Sequence, residues 1–124
     1  MSGDLTVAVP RFAASAEAGG VVVTAGLVAL TPGTLTPACA DFDGQARHVL
    51  AQLDALLAPD GGAPLRLLRL ECFLADRRWF PRWNAIFADH FGAAPPARTT
   101  LVGELVLDGL HIEIQGLAVR EEES

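Results

Sequence analysis

The chain has 124 residues, about half of them hydrophobic, and 15 acidic against nine basic side chains give a formal net charge of −6. This length fits a single domain spanning residues 1–124, and the apolar content excludes wholesale disorder. The acidic balance disfavours nucleic acid as a partner, since such a partner requires a positive surface that displaces phosphate counterions.

The apolar segments predict a protein that does not enter membranes. The longest of them, such as residues 20–30, fall well short of the roughly 20 residues that cross a bilayer. Residues 1–10 lack the basic start and the apolar stretch of a signal peptide. We therefore expect a soluble, cytoplasmic protein.

The first half of the chain predicts two strands and a helix. Alternation of Leu5, Val7 and Val9 with small or polar residues indicates a short strand, and residues 21–30 are rich in β-branched side chains, as in a second strand. From Asp41 onward, apolar residues recur at steps of three and four, which predicts a helix with one buried stripe. That stripe comprises Phe42, Ala46, Val49, Leu50, Leu53, Leu56 and Leu57.

The second half predicts a strand, a helix and a closing hairpin. Within residues 65–74, alternation places Leu68, Leu70, Cys72 and Leu74 on one face. Asp76 is a good N-cap for a helix in which Pro81 is tolerable near the first turn. The apolar face of that helix is predicted to comprise Trp79, Phe80, Trp83, Ile86, Phe87 and Phe91. Strands are predicted at residues 98–107 and 111–120, joined by a tight hairpin turn at Asp108-Gly109.

The resulting order, β-β-α-β-α-β-β, predicts a two-layer α+β domain with two helices on one face of a mixed sheet. In the last predicted strand, His111, Glu113 and Gln115 alternate with residues 112, 114 and 116. Both faces of the sheet are then partly apolar, and such a sheet usually requires a second cover, which oligomerisation supplies.

Five short motifs, in this order and at plausible spacing, resemble the signature of the Rid (YjgF-like) family over nearly the whole chain. They are VTAG at 23–26, DFDGQA at 41–46, FLAD at 73–76 with WN at 83–84, PARTT at 96–100 and IEIQGLA at 112–118. The resemblance implies a chorismate-mutase-like homotrimer with clefts between subunits. It also implies hydrolysis of reactive 2-imino or 2-enamino acids to 2-oxo acids and ammonia.

By the same resemblance, Arg98 would hold the substrate carboxylate and Glu113 would position or activate water. The substrate-binding set would further include the residues Phe12, Ala25, Gly26, Asn84 and Thr100. This chemistry is physically reasonable, because a guanidinium matches a carboxylate through two parallel hydrogen bonds and an ionised Glu can act as general base. It requires no metal or other cofactor, and the sequence contains no recognisable metal or phosphate motif.

Structural roles remain open for the same side chains. Arg98 could neutralise a buried glutamate, Glu113 could lie on a solvated strand, and Asn84 and Thr100 could be ordinary helix and strand residues. The three histidines have no ligand spacing, so core or surface positions are the simpler interpretation of each.

Departures from the family pattern keep four hypotheses about function open. Deaminating members carry Ser and Gln where this chain has Ala25 and Leu27, and a Tyr near Phe12, whereas this chain contains no Tyr. The chain could be an imine deaminase, or a specialised enzyme for a larger, more apolar carboxylate or carbonyl compound. It could instead be a non-enzymatic binding trimer. Ribonuclease action, also associated with the family, is disfavoured by the negative charge.

Overall fold

The computed structural model describes residues 12–59 and 64–121, which form five strands and two α-helices. The first predicted strand, at residues 5–9, lies outside the described residues. The elements are β1 (Ser15–Ala18), β2 (Val21–Thr24), α1 (Phe42–Leu57), β3 (Arg66–Leu74), α2 (Phe80–Phe91), β4 (Ala97–Val102) and β5 (Ile112–Val119). Their order, with two helices and a mixed sheet, confirms the predicted α+β class.

The sheet order is β1-β2-β5-β3-β4, with β3 and β4 parallel and the other pairs antiparallel. The predicted β4–β5 hairpin is therefore wrong. Gly109 does adopt the left-handed conformation of a turn, with a φ of 86°, but the chain passes the end of β3 and enters the middle of the sheet. Every second residue of β5 is buried whereas β4 is largely exposed. Placing β5 rather than β4 in the middle of the sheet therefore buries more side-chain surface.

A β-bulge in β3 corrects a second prediction. The pairing of β3 with β5 shifts register between Leu67 and Arg69, which leaves Leu68 as the extra residue, 38% exposed. Leu67 instead packs against the core. After the bulge, Leu70 and Cys72 point inward as expected. A simple period of two cannot reveal where a strand carries an inserted residue.

Both helices begin as the sequence predicts. The side chain of Asp41 accepts a hydrogen bond from the Gly44 amide at 3.0 Å and caps α1. Asp76 caps a single 3₁₀ turn that leads directly into α2, where Pro81 lies in the first turn. The apolar stripe of α1 packs on the sheet as predicted, but Phe80 of α2 is 42% exposed rather than buried. No helix within the described ranges is both long enough and apolar enough to span a bilayer.

The sheet face that carries no helix is substantially apolar. Outward-facing Leu101 is 55% exposed, and Val21 and Val23 are 41% and 44% exposed. Phe73 and Leu117 point to the same side, next to these residues in the strand register. An apolar surface of this size is typical of a face that contacts another molecule. The structure therefore retains the predicted need for something to cover the helix-free face.

Gln45 is a fully buried polar side chain that ties two loops to α1. Its amide nitrogen donates to the carbonyls of Cys39 and Gly109, at 3.0 and 2.8 Å, and its Oε1 accepts from the His111 amide at 2.8 Å. Gln45 thereby fixes the start of β5, on which Glu113 lies.

Replacement of Gln45 by leucine is expected to lower the free energy of unfolding by about 2–3 kcal/mol, because three buried backbone groups lose their partner. Urea denaturation of the variant measures this change. Gln52→Leu is a less buried control on the same helix, and an equal loss in both variants would contradict a special role for Gln45.

Candidate functional site

Arg98 lies on β4 with its guanidinium under α2. Its Nη2 donates to Asn84 Oδ1 at 2.8 Å, and its Cζ lies 4.8 Å from the ring centroid of Phe87 and 5.8 Å from that of Phe80. Within residues 12–59 and 64–121, Arg98 has no carboxylate partner at ion-pair distance. No glutamate of the two described segments therefore neutralises it. An amide and aromatic rings orient the guanidinium, and no carboxylate of these segments pairs with its charge.

Thr100 follows Arg98 on the same face of β4 and lines a shallow groove of about 450 Å³ with Phe80. Its hydroxyl is buried and has no hydrogen-bond partner among the described residues. Thr100 pairs across the strands with Cys72, whose thiol has its pKa raised to about 11 by burial. That thiol is protonated at neutral pH and is no candidate nucleophile.

A second group of predicted residues meets at a separate cavity. Phe12, Ala25 and Gly26 line a space of about 470 Å³ together with residues 30–34 and two side chains of α1. The wall contributed by Phe12 and Ala25 is apolar, as the missing tyrosine and serine hydroxyls predict. This volume falls within the usual range for small-molecule sites.

Glu113 lies beside this cavity, with its carboxylate against the Cα of Gly26. Burial raises the pKa of Glu113 above its ordinary value, since desolvation disfavours the charged form. None of the described residues donates a hydrogen bond to its carboxylate. An unpaired carboxylate with a raised pKa is suited to accept a proton.

The structure thus collects the predicted residues into two groups and separates these groups within one chain. Arg98, like its strand partner Leu70, points to the helix side, whereas Glu113, like its partner Phe73, points to the helix-free side. Glu113 lies two strands away from β4, opposite Leu101, which is three residues along β4 from Arg98. These spacings put the Cα atoms of Arg98 and Glu113 roughly 14 Å apart. A single site that uses both side chains must therefore combine two copies of the chain.

Gly26→Ala is expected to reduce any activity that depends on Glu113 while preserving the fold. An added Cβ would overlap the Glu113 carboxylate, which is flexible enough to swing away. Gly103→Ala is the matched control, because a Cβ there meets nothing within 4 Å. Steady-state kinetics and melting temperatures of both variants test this, and equal activity in the two would show that the position of the carboxylate is unimportant.

His48 and Gln52 are cavity residues outside the predicted site, and for His48 the sequence favoured a core or surface position. Both line the same cavity as Gly26, and His48 Nδ1 lies 2.9 Å from Gln52 Nε2. Their spacing of four residues on a predicted helix was the available signal, because it places two side chains side by side. No cluster of His, Cys, Asp and Glu suited to hold a metal occurs in the two described segments.

Comparison with known families decides the classification. The sequence model of the family described as endoribonuclease L-PSP matches residues 5–120. The chain belongs to this family. The endoribonuclease L-PSP family includes the YjgF, RutC and Rid proteins, so the resemblance in the motifs is confirmed.

Several proteins from other organisms are similar to most of this chain. Protein DfrA of Myxococcus xanthus is 33% identical over 107 residues, which cover 86% of this chain and 82% of that protein. The RutC family protein PH0854 of Pyrococcus horikoshii is 30% identical, with coverage of 89% and 87%. The 3-aminoacrylate deaminase RutC of Acinetobacter baylyi is 27% identical, with coverage of 86% and 85%.

Solved structures of the endoribonuclease L-PSP family share the fold. The Rid family protein YyfA of Yersinia pestis superposes with a TM-score of 0.79 at 24% identity, covering 91% of this chain and 90% of that one. NMB1025 of Neisseria meningitidis, a YjgF family member, has a TM-score of 0.73 at 26% identity, with coverage of 93% and 92%.

Proposed function

We propose that the chain hydrolyses reactive imino or enamino acids to 2-oxo acids and ammonia, at sites formed where two chains of a homotrimer meet. The observation that carries the proposal is the guanidinium of Arg98, which Asn84 holds by a 2.8 Å hydrogen bond and which has no carboxylate partner within residues 12–59 and 64–121. An oriented cation without a carboxylate partner is suited to bind the carboxylate of a ligand. The RutC relative, a 3-aminoacrylate deaminase, adds support from sequence.

The separation of the two residue groups supports the trimer. Arg98 and Glu113 point to opposite sides of one sheet, and the helix-free face exposes apolar side chains such as Leu101. Contact between chains through that face covers these side chains. It also allows Arg98 of one chain to approach Glu113 of the next, and a closed ring of three repeats this arrangement at every interface.

The reaction needs few groups. Arg98 anchors the carboxylate through two N–H···O bonds, and Glu113 accepts a proton as the oxygen of water bonds to the C=N carbon. Glu113 passes this proton to the nitrogen, which gives a carbinolamine. Glu113 then accepts the hydroxyl proton and transfers it to the same nitrogen. The C–N bond breaks with its electron pair on nitrogen, so that ammonia leaves and the C=O bond of the 2-oxo acid forms. Such general-base assistance contributes about 10²–10⁴-fold.

A second candidate is a specialised enzyme or binding protein for a larger apolar carboxylate or carbonyl compound. The apolar cavity wall at Phe12, Ala25 and Leu27 favours it. A wall without hydrogen-bonding groups discriminates between ligands by shape more than by hydrogen bonding.

An in situ assay separates these candidates. L-amino-acid oxidase generates imines from leucine or methionine in the presence of semicarbazide. Hydrolysis of these imines lowers the initial rate of semicarbazone formation, because a free 2-oxo acid condenses with semicarbazide more slowly than its imine does. We expect the protein to reduce semicarbazone formation and Arg98→Ala to abolish the effect. If the wild-type protein leaves semicarbazone formation unchanged while 2-oxo acids still bind, the proposed hydrolysis of small imines is wrong. The second candidate then gains support.

A further inference from the structure

The tautomer of His48 follows from a chain of two hydrogen bonds. Gln52 Nε2 donates to the Val28 carbonyl at 2.9 Å, and a carbonyl oxygen can only accept, so the amide nitrogen must face it. The second hydrogen of that nitrogen is directed at His48 Nδ1, 2.9 Å away. Nδ1 must therefore be the accepting nitrogen, and the proton of the neutral ring is on Nε2.

His48 lines the cavity of Phe12 and Gly26, and its Nε2–H has no acceptor within residues 12–59 and 64–121. Both amide hydrogens of Gln52 are engaged, and the hydroxyl of Thr34 donates to the Thr31 carbonyl at 2.8 Å. No described residue accepts from His48 Nε2, and the ring is only half-buried. A fixed donor is thus present in a cavity whose walls at Phe12 and Ala25 carry no hydroxyl groups.

We infer that His48 is a specificity-determining residue that donates a hydrogen bond from Nε2 to an acceptor oxygen in the side chain of the substrate. The inference rests on the proposed function and narrows its substrate class to imino acids with an apolar side chain that carries an ether or carbonyl oxygen. A neutral donor favours an uncharged acceptor, and the apolar wall favours the carbon atoms around it. Gln52 is a positioning residue, since it holds the His48 ring in this tautomer.

Two probes of equal chain length, one with an oxygen where the other has a CH₂ group, test the inference. L-amino-acid oxidase converts O-methyl-L-homoserine and L-norleucine into imines whose side chains differ by an oxygen in place of a methylene. The stable products, 2-oxo-4-methoxybutanoate and 2-oxohexanoate, serve as binding probes in calorimetry. One net hydrogen bond predicts that the wild-type protein prefers the ether by roughly twofold to tenfold, in kcat/KM and in Kd.

Variants at two histidines provide the comparison. His48→Phe is expected to abolish the ether preference. His90→Phe is the matched control and is expected to keep it, because His90 pairs with Asp54 outside the cavity. Nitrogen-15 NMR of the unsubstituted protein offers a test that needs no variant. The His48 Nε2 resonance is expected to shift with the ether and not with 2-oxohexanoate.

The outcomes separate the two proposals. If both imines are hydrolysed but His48→Phe and the wild-type protein show the same ether preference, the role of His48 is overturned and hydrolysis stands. If neither imine is hydrolysed while the 2-oxo acids bind with a preference that depends on His48, hydrolysis is overturned and His48 stands. If neither probe is hydrolysed or bound, both proposals are overturned.

Discussion

Arg98→Ala is expected to lower kcat/KM for imine hydrolysis by about 10²–10⁴-fold. The reason is the loss of two charge-assisted hydrogen bonds to the substrate carboxylate, each worth about 1.5–3 kcal/mol. Arg98→Lys retains the charge without the planar pair of donors, so an intermediate loss is expected. Steady-state kinetics with imines generated in situ measures both variants.

Arg47→Ala controls for the removal of an arginine, since Arg47 is exposed on α1. It is expected to leave kcat/KM unchanged. Arg98 also contacts Asn84 and Phe87 in its own chain, so thermal melting is needed to separate a loss of anchoring from a loss of folding. A well-folded Arg98→Ala variant with normal kcat/KM would contradict the assignment of the anchor.

Glu113→Gln is expected to lower kcat by about 10²–10⁴-fold, because the amide keeps the shape of the side chain but cannot accept a proton from water. The same change is expected to make the folded chain more stable at neutral pH. Burial raises the pKa of Glu113 because the charged carboxylate loses contact with water on folding. The uncharged amide avoids this free-energy cost.

The pH dependence of stability has a definite sign. Because the pKa of Glu113 is higher in the folded than in the unfolded chain, the folded state retains the proton more tightly. The stability that Glu113 contributes is fully present below the pKa it has in the unfolded chain. This contribution is lost as pH rises through the pKa of Glu113 in the folded chain. The stability advantage of Glu113→Gln should therefore be present at pH 7 and vanish in acid. Melting temperatures across this range measure it, and an advantage that grows in acid would contradict the cause assigned here.

Local sequence patterns predicted the helices well and the strand neighbours poorly. Asp41, Asp76 and the apolar stripe of α1 act within a few residues, and the structure confirms them. The turn at Asp108-Gly109 is also local, but which strand lies next to β5 depends on how much apolar surface each order buries. Such a comparison involves residues far apart in the chain, as does the bulge that displaces Leu68.

The site shows the same division between local and distant information. The family motifs identified Arg98 and Glu113 as a pair, yet the single-chain structure places them on opposite faces of the sheet. Motifs within one sequence carry no information on how chains pair with one another, so the shared site stays a prediction. The sequence favoured a core or surface position for His48, because the orientation of its neighbour Gln52 depends on the Val28 carbonyl, which lies in another part of the chain.

Mixing of two inactive variants tests the shared site most directly. Arg98→Ala and Glu113→Gln chains are unfolded together, refolded at equal concentrations and assayed for imine hydrolysis. If each site takes Arg98 from one chain and Glu113 from the next, random assembly leaves about one quarter of the sites intact, half times half. We expect recovery of about that share of wild-type activity. Activity no higher than that of the two variants measured separately would contradict it.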